Sequence, residues 1–368
     1  MSQPQNWKRT AMLAALTFTL VLLGAGNVLA QHYTRTDLTA DNSSVSPAPN
    51  IDPNLVNPWG LSRSSGSFWW VSDNGTGLST LYDGTGLAQQ LIVTIPLPNG
   101  QSGTSAPTGT VFNYTSGFEV GSGQPAFFLF ATEDGTISGW NPNANPNTAI
   151  LKVDHSSSAI YKGIALATTP KGPRLYVSNF ASGVVEVYDS MFHPLTVSGG
   201  FLDPNLPANY VPFGIQNVGG NIVVTFANRR PGSRDENHGA GRGFVDVFDV
   251  NGKLLLRLQH GSFLNAPWGI ALAPGDFGSF SHRLLIGNFG DGAINAFNAF
   301  SGKWEGAMQD QNGMPLSIPG LWALGFGGNS AHSGSATELY FSAGANDEAD
   351  GIFGKLAPVA SDQRGNTE

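Results

Sequence analysis

Six similar segments, each about 50 residues long, constrain the fold of this chain more than any other feature of its sequence. Each segment opens with a short strand-like run, and the six runs are NPWGLS, APTGTVF, YKGIAL, VPFGIQ, APWGIAL and GLWALGF. Five of them carry a glycine at the same place, namely Gly60, Gly109, Gly163, Gly214 and Gly269. A repeat of this length, built of short strands, predicts an all-β propeller with one blade per segment.

Residues 161–201 show what one repeat contains. Four apolar or alternating runs, GIALAT, RLYVSNF, GVVEVYD and PLTVSGGF, are separated by turn residues. Such runs are typical of strands, so each repeat is expected to form a four-stranded antiparallel sheet. The predicted six-bladed β-propeller has blades near residues 57–97, 106–155, 160–201, 210–259, 265–309 and 319–358.

The sixth repeat lacks a fourth strand, since the residues after Pro358 form a polar tail, 359–368. Residues 32–38, HYTRTDL, alternate in polarity and lie upstream of the first repeat. We expect them to complete blade six, because closure of the ring protects strand edges that would otherwise be exposed. Residues 31–358 are therefore predicted to form a single domain.

The first thirty residues have the pattern of a secretory signal peptide. Lys8 and Arg9 precede the apolar run of residues 11–23, and Ala30 ends a small-residue cleavage site. The alternative is an uncleaved membrane anchor, but the run is short for a membrane span. We expect export to the periplasm or medium of a bacterium, with no stable membrane insertion after cleavage. The net charge of −8 argues against a nucleic-acid partner, and without cysteine the chain forms no disulfide.

With the repeats placed, a family resemblance can be stated. The chain resembles the NHL-type six-bladed propellers, and stretches such as FLDPNLPANYVPFGIQNVGGNIVVTFAN and GRGFVDVFDVNGKLL are similar to the TIGR03118 family of exported bacterial proteins. This resemblance spans nearly all of the chain after residue 30. It implies the fold and export, but it implies no particular activity.

Polar residues recur at the turn between the second and third strands of the repeats. They are Asp73, Asn74, Glu133, Asp134, Asn179, Asn228, Asn288, Asn346 and Asp347. Oxygen atoms that converge from several blades are suitable ligands for calcium. The resemblance to NHL-like lactonases and lyases implies a metal near this place. The alternative is that Asn and Asp simply make tight turns by bonding their own backbone.

Aromatic residues recur at the start of the innermost strands. Trp59, Phe213, Trp268 and Trp322 occupy one equivalent position, which holds Lys162 in the third repeat. Four rings around a channel mouth could stack on a sugar or an apolar ligand. Alternatively, each ring packs between neighbouring blades and serves the core.

The fourth repeat contains an insertion, NRRPGSRDENHGAGRG, which we call the insertion loop (residues 228–243). It concentrates charge in a chain that is otherwise poor in it, through Arg229, Arg230, Arg234, Asp235, Glu236 and His238. Insertions on one face of a repeat protein are often functional, so Arg229, Arg230 and Arg234 are candidate ligand-binding residues, and the glycines of the loop would let it act as a lid. A merely mobile loop is the alternative.

Two functions follow from these patterns. The first is an exported, monomeric propeller that binds a small molecule, a glycan or another exported protein at its channel mouth. The second is a calcium-assisted lactonase, lyase or hydrolase of the gluconolactonase-like type, with His238, Glu236 or Asp235 as acid or base. No HExxH, GxSxG or P-loop motif points to another enzyme class.

Overall fold

Six four-stranded antiparallel sheets form a closed ring in the computed structural model, which describes residues 32–360. The predicted signal peptide and all but the first two residues of the predicted tail lie outside that part. From the axis outwards, blade one consists of Pro58–Ser62, Trp69–Asp73, Leu78–Tyr82 and Val93–Thr94; blade two of Pro107–Phe112, Phe128–Thr132, Thr136–Trp140 and Ile150–Asp154; blade three of Tyr161–Thr169, Gly172–Asn179, Val184–Tyr188 and Pro194–Leu195. The predicted propeller is thereby confirmed.

The other half of the ring follows the same plan. Blade four consists of Tyr210–Val218, Asn221–Asn228, Gly243–Phe248 and Leu254–Arg257; blade five of Pro267–Leu272, Arg283–Asn288, Ile294–Asn298 and Trp304–Ala307; blade six of Leu321–Phe326, Leu339–Ala343, Ile352–Pro358 and His32–Ala40. Outside these blades lie the short hairpin strands Glu119–Gly121 and Gln124–Pro125, a 3-10 turn at Gly278–Phe280 and a single turn at Ala345–Glu348. No helix in residues 32–360 is long and apolar enough to cross a membrane.

The ring is closed by the N-terminal strand, as the sequence predicts. His32–Ala40 pairs antiparallel with Ile352–Pro358, and two short strands, Asn50–Ile51 and Gln309–Asp310, pair with it in parallel. Tyr33 is buried, and its hydroxyl donates a hydrogen bond to the carbonyl oxygen of Phe277 in blade five (3.0 Å). The strand thus joins both ends of the ring, and it runs two residues beyond the predicted range.

The core lies between the blades, and the alternation of each strand supplies it. Successive side chains of a strand point to opposite faces of its sheet. In blade three, Ile164 and Val177 therefore pack against blade two, whereas their neighbours Ala165 and Tyr176 pack against blade four. Each sheet is buried on both faces, which is why its middle strands contain almost no exposed residue.

Glycines let the innermost strands approach each other closely at the axis. A Cβ atom added to Gly214 would lie 2.1 Å from the carbonyl oxygen of Trp268, and one added to Gly60 would lie 2.6 Å from that of Thr108. The equivalent glycines of blades two, three and five meet the next blade in the same way. The innermost strands therefore run in one direction and in one register around the axis, with their first residues at one end.

Candidate functional site

The end of the axis where the innermost strands begin is filled by the predicted aromatic residues. Trp59 and Trp322 stack with 3.6 Å between ring centroids, while Trp268 and Phe213 meet Trp59 edge-on at 6.2 and 6.5 Å. All four side chains are buried. The four rings pack against each other across the axis. They therefore do not line an open channel mouth, and their contacts are not limited to the neighbouring blade. Their predicted contact with a ligand stays a prediction.

Lys162 occupies the same ring of positions, and its ammonium group is buried above these aromatic rings. Its Nζ lies 5.0 Å from the centre of the Trp59 ring and 5.2 Å from that of Phe180. Glu133 Oε1 lies 2.5 Å from Nζ, and Asp235 Oδ1 lies 4.0 Å from it. A buried ammonium group is stable in such a place only because carboxylates and ring faces replace its hydration.

We call the set Lys162, Glu133, Asp235, Glu236 and Glu348 the mouth cluster. Its charged groups shift one another's pKa values. Burial disfavours the ionised forms of Lys162 and Glu133, but their mutual attraction outweighs it. The pKa of Lys162 is therefore raised and the pKa of Glu133 lowered. Burial raises the pKa of Glu236, against the attraction of Lys162. Four carboxyl groups share one lysine, so the cluster carries an excess of negative charge.

Glu348 is held in the mouth cluster by an unusual turn. In Ala345–Glu348, the residues Asn346, Asp347 and Glu348 have φ values of 53°, 53° and 67°, a left-handed conformation that Asn and Asp tolerate but that is unfavourable for glutamate. The Nδ2 of Asn57 donates to Glu348 Oε2 at 3.1 Å. Burial, together with the nearby Glu236 and Glu133, raises the pKa of Glu348 to about 7.

The insertion loop lies over the mouth cluster and is held from three sides. Arg229 donates to the carbonyl oxygens of Phe180 and Ala181 in blade three. Arg234 Nη2 donates to the carbonyl oxygen of Glu133 at 3.0 Å, and the backbone N–H of Gly239 donates to Asn265 Oδ1. The exposed Arg230 bonds only within the loop, to Asn237 Oδ1 (3.3 Å). Two of the three arginines are thus engaged in seating the loop, and ligand binding by all three stays a prediction.

A pocket of about 210 Å³ opens beside the mouth cluster, and we call it the side pocket. His238 of the insertion loop and Phe289, Asp291, Asp347 and Glu348 line it. His238 meets the Phe289 ring edge-on at 6.2 Å. The lining contains three carboxyl groups but neither lysine nor arginine. The negative charge of these carboxyl groups and the ring of Phe289 therefore favour a positively charged ligand.

Of the other predicted calcium ligands, Asn74 lies at the mouth, where its Nδ2 donates to Glu133 Oε2 at 3.2 Å, and the rest bond to neighbouring backbone and side-chain groups. Asn179 Oδ1 accepts from the backbone N–H groups of residues 160, 181 and 182, and Asp134 accepts from the N–H of residue 106. Asn228 Oδ1 accepts from Asn237, and the Nδ2 of Asn288 donates to Phe263 and Asp291.

Asp73 is fully buried inside blade one, where its carboxylate accepts two hydrogen bonds from Thr80. Burial raises the pKa of Asp73 well above its ordinary value. In residues 32–360 no three Asp, Glu or His side chains are placed to hold one metal ion. The ammonium group of Lys162 stands among the carboxylates of the axis, and calcium binding by the predicted residues stays a prediction.

The residues predicted as acid or base lie together at the mouth but differ in exposure. Asp235 and His238 are exposed, whereas Glu236 is half-buried. The sequence reasoning missed Glu348, although the acidic run NDEADG stands at the same turn as the other predicted polar residues. It noted Lys162 only as an exception among aromatic residues. A lysine at a position that is otherwise apolar was the available signal.

Comparison with known proteins gives two relatives over most of the chain, while no family model matches it. "Uncharacterized protein R648" of Acanthamoeba polyphaga mimivirus is 32% identical over 320 residues, which cover 84% of this chain and 76% of that protein. "Uncharacterized protein L690" of the same virus is 31% identical over 323 residues, with 84% and 82% covered.

Solved structures with a similar fold include two dehydrogenases. A glucose dehydrogenase crystal structure matches with a TM-score of 0.53 at 12% identity, covering 88% of this chain and 99% of that one. A PQQ-bound aldose sugar dehydrogenase from Streptomyces coelicolor matches with a TM-score of 0.51 at 14% identity, covering 82% and 94%. At such identities the likeness shows the fold alone.

Proposed function

This chain belongs to the same family as the mimivirus proteins R648 and L690, and we propose that it binds a small organic ammonium compound in the side pocket beneath the insertion loop. One observation carries the proposal. The pocket walls hold the carboxyl groups of Asp291, Asp347 and Glu348 beside the ring of Phe289, without a lysine or arginine among the lining residues. Carboxylates and a ring face are the groups that recognise a desolvated ammonium ion.

An organic cation suits this pocket better than a metal ion. Calcium needs six or more oxygen atoms at about 2.3–2.6 Å from one point. Asp291 is already engaged with Asn288 and Asn265, and no three acidic or histidine side chains within residues 32–360 are placed around one metal position. The three carboxyl groups are instead spread over the walls of a 210 Å³ pocket. This arrangement suits an organic cation, whose carbon skeleton can fill the space between them.

A matched pair of ligands tests the proposal. Isothermal titration calorimetry at pH 8 should show that putrescine binds at least about tenfold more tightly than 1,4-butanediol, which has hydroxyl groups in place of the two ammonium groups. Asp347→Asn should weaken putrescine binding several-fold. Asp276→Asn is the control, since Asp276 is exposed in a different turn of the chain. Equal binding of the two ligands, or an equal effect of the two variants, contradicts the proposal.

The pH dependence of binding gives a second test. The pKa of Glu348 is about 7, so its carboxyl group gains negative charge as the pH rises through that value. Putrescine stays protonated in this range, and its affinity should therefore increase between pH 6 and pH 8. In Glu348→Gln this increase should disappear. An unchanged pH profile in the variant would remove Glu348 from the binding site.

The insertion loop is proposed to act as a lid on this pocket. Replacing residues 229–242 by the three-residue turn of blade three, Ala181-Ser182-Gly183, removes His238 from the pocket wall and Asp235 and Glu236 from the mouth cluster. We expect the shortened protein to keep its melting temperature within a few degrees but to lose putrescine binding. Identical titrations of the intact and shortened proteins would show that the loop has no part in binding.

Acid–base catalysis is the second candidate function, and one observation favours it. His238 and Glu348 line the same pocket, and a carboxyl group with a pKa near 7 is suited to proton transfer at neutral pH. If the protein is a lactonase, it should accelerate the hydrolysis of glucono-δ-lactone above the spontaneous rate, and Glu348→Gln should reduce that excess at least about a hundredfold. Assays with and without added calcium separate this mechanism from the metal-assisted one that the NHL-like resemblance implies.

Export and a monomeric state are part of the same proposal. Export is supported by the pattern of residues 1–30 and by the resemblance to the TIGR03118 family of exported bacterial propellers, and the monomeric state stays a prediction. N-terminal sequencing of protein recovered from the periplasm or medium should begin at Gln31. Retention of Met1 would overturn the proposed localisation.

A further inference from the structure

The axis has a second opening, at the end where the innermost strands finish, and it is wider than the side pocket. This axial funnel has a volume of about 550 Å³ and receives residues from the innermost strands of all six blades. A narrow extension of about 30 Å³ continues along the axis to Trp268. The buried aromatic rings around Trp268 separate the funnel from the mouth cluster at the other end. Its volume is within the range of pockets that hold small molecules.

One polar side chain of the funnel lacks a partner. Thr110 is about nine-tenths buried and lines both the funnel and its narrow extension. Its hydroxyl oxygen makes no hydrogen bond within the described part of the chain. A buried hydroxyl group without a partner is unfavourable in the free protein, because it loses its bonds to water. The oxygen itself is shielded from solvent, so a ligand at the depth of the funnel reaches it when the Thr110 side chain turns toward the funnel, and the hydrogen bond formed then removes this cost.

The funnel offers an ionic ligand no carboxylate and no arginine that is free of other contacts. No aspartate or glutamate lines it, and its only charged residue is Arg63. Arg63 is already engaged, since its Nε and Nη2 donate to the carbonyl oxygens of Phe326 (2.9 Å) and Gly327 (2.8 Å). Its guanidinium also lies over the Trp69 ring, with 5.4 Å to the centroid. The rest of the lining combines aliphatic and aromatic side chains with the uncharged polar side chains of Ser62, Ser64, Ser65, Gln216 and Asn217, so the funnel offers both apolar contact and hydrogen-bonding groups without charge.

We propose that the axial funnel is a second binding site, which takes an uncharged small molecule with an apolar face and one group that hydrogen-bonds to Thr110. The site is independent of the side pocket, because it opens at the other end of the axis and selects against charge. Gln216 of blade four is exposed in the funnel, also lines its narrow extension and offers a second polar contact.

Nile red, an uncharged aromatic dye with a carbonyl group, serves as the probe for fluorescence titration of the purified full-length mature protein. We expect saturable binding of one dye per chain. Gln216→Trp, a change at an exposed wall residue, should fill the entrance and weaken binding at least tenfold. Thr110→Val keeps the side-chain shape but lacks the hydroxyl group, and it should weaken binding about three- to tenfold without lowering the melting temperature.

Phe300→Ser is the matched control for adsorption of the dye to the surface, because Phe300 is 94% exposed on an outer turn of blade five. This variant should bind the dye as the unaltered protein does. Binding that is lost in Phe300→Ser, or that persists unchanged in Gln216→Trp, overturns the assignment of the funnel. The absence of saturable binding overturns it as well, and unchanged affinity in Thr110→Val overturns the role of its hydroxyl group.

Discussion

At the scale of single residues, the chemistry of the mouth depends on one lysine in a ring of aromatic side chains. The ammonium group of Lys162 lies over the rings of Trp59 and Phe180 and reaches Glu133 at 2.5 Å. The pair is mutually dependent, since removing either charge deprives the other buried group of its nearest opposite charge. Burial, together with the nearby Glu236 and Glu133, raises the pKa of Glu348 beside this pair.

Removal of this lysine should be costly to the fold. Lys162→Met keeps an apolar side chain but removes the ammonium group that pairs with the buried Glu133, so we expect a loss of about 3 kcal/mol in the free energy of unfolding, measured with urea at pH 7. The double variant with Glu133→Gln should regain most of it. Lys171→Met, at an exposed turn of the same blade, should change stability by less than about 0.5 kcal/mol. A double variant as unstable as the single one would show that the pair is not the cause.

The raised pKa of Glu348 predicts how stability depends on pH. The folded protein keeps the proton of Glu348 up to about pH 7, whereas the unfolded chain loses it near 4.5. The folded state therefore binds more protons between these values, and the free energy of unfolding falls as the pH rises through this interval. Glu348→Gln should remove that fall and gain about 1–3 kcal/mol over the unaltered protein above pH 7.

The comparison must be made between the two proteins at each pH. Asp246, whose pKa is also raised by burial to about 7, titrates in the same interval in both of them. Denaturant unfolding at pH 5 and pH 8 gives the required difference. Parallel pH profiles for the variant and the unaltered protein would mean that Glu348 is ionised normally in the folded state.

At the scale of strands, crowding at the axis determines which residues the innermost positions accept. Gly214→Ala would bring a methyl group to 2.1 Å from the carbonyl oxygen of Trp268, so the two innermost strands would have to separate. We expect a loss of about 2 kcal/mol or more in unfolding free energy. Gly66→Ala is the control, because a Cβ at that position meets no atom within 4 Å. Equal stability of the two variants would show that the innermost strands adapt easily.

The positions of the inner strands could be predicted from the sequence more accurately than those of the outer strands, because the two kinds of strand differ in burial. A strand buried on both faces has a strong apolar pattern, and the innermost glycines mark the axis. An outer strand is partly solvated and tolerates many sequences. The run PLTVSGGF was expected to form the whole outer strand of blade three, but only Pro194–Leu195 pairs with Val184–Tyr188, and both residues are exposed.

At the scale of the whole molecule, the two ends of the axis differ although the repeat is nearly symmetric. One end is filled by aromatic rings and covered by the insertion loop, and the other opens as a 550 Å³ funnel. The sequence indicated the insertion loop, because it interrupts the repeat. It did not indicate the funnel, whose walls come from six separate strands and carry no motif. Likewise, the geometry of Glu348 follows from a left-handed turn that no local pattern predicts.

Closure of the ring by the N-terminal strand gives the last prediction. Deleting residues 31–39 removes the outer strand of blade six and exposes the hydrogen-bonding edge of Ile352–Pro358. It also removes Tyr33, whose buried hydroxyl group ties blade six to Phe277 of blade five. A ring opened at this seam can separate there, so the melting temperature should fall by at least about 10 °C, with aggregation through the free edge.

Deletion of residues 361–368 provides the control for truncation of the chain as such, and it should leave the melting temperature nearly unchanged. Size-exclusion chromatography after mild heating should then show aggregates for the first deletion and a monomer for the second. A synthetic peptide of residues 31–40 added in excess should restore part of the lost stability, since it can pair with the same edge. Equal melting temperatures for the shortened and intact N-terminus would show that the ring is held closed by the contacts between blades and not by the strand at the seam.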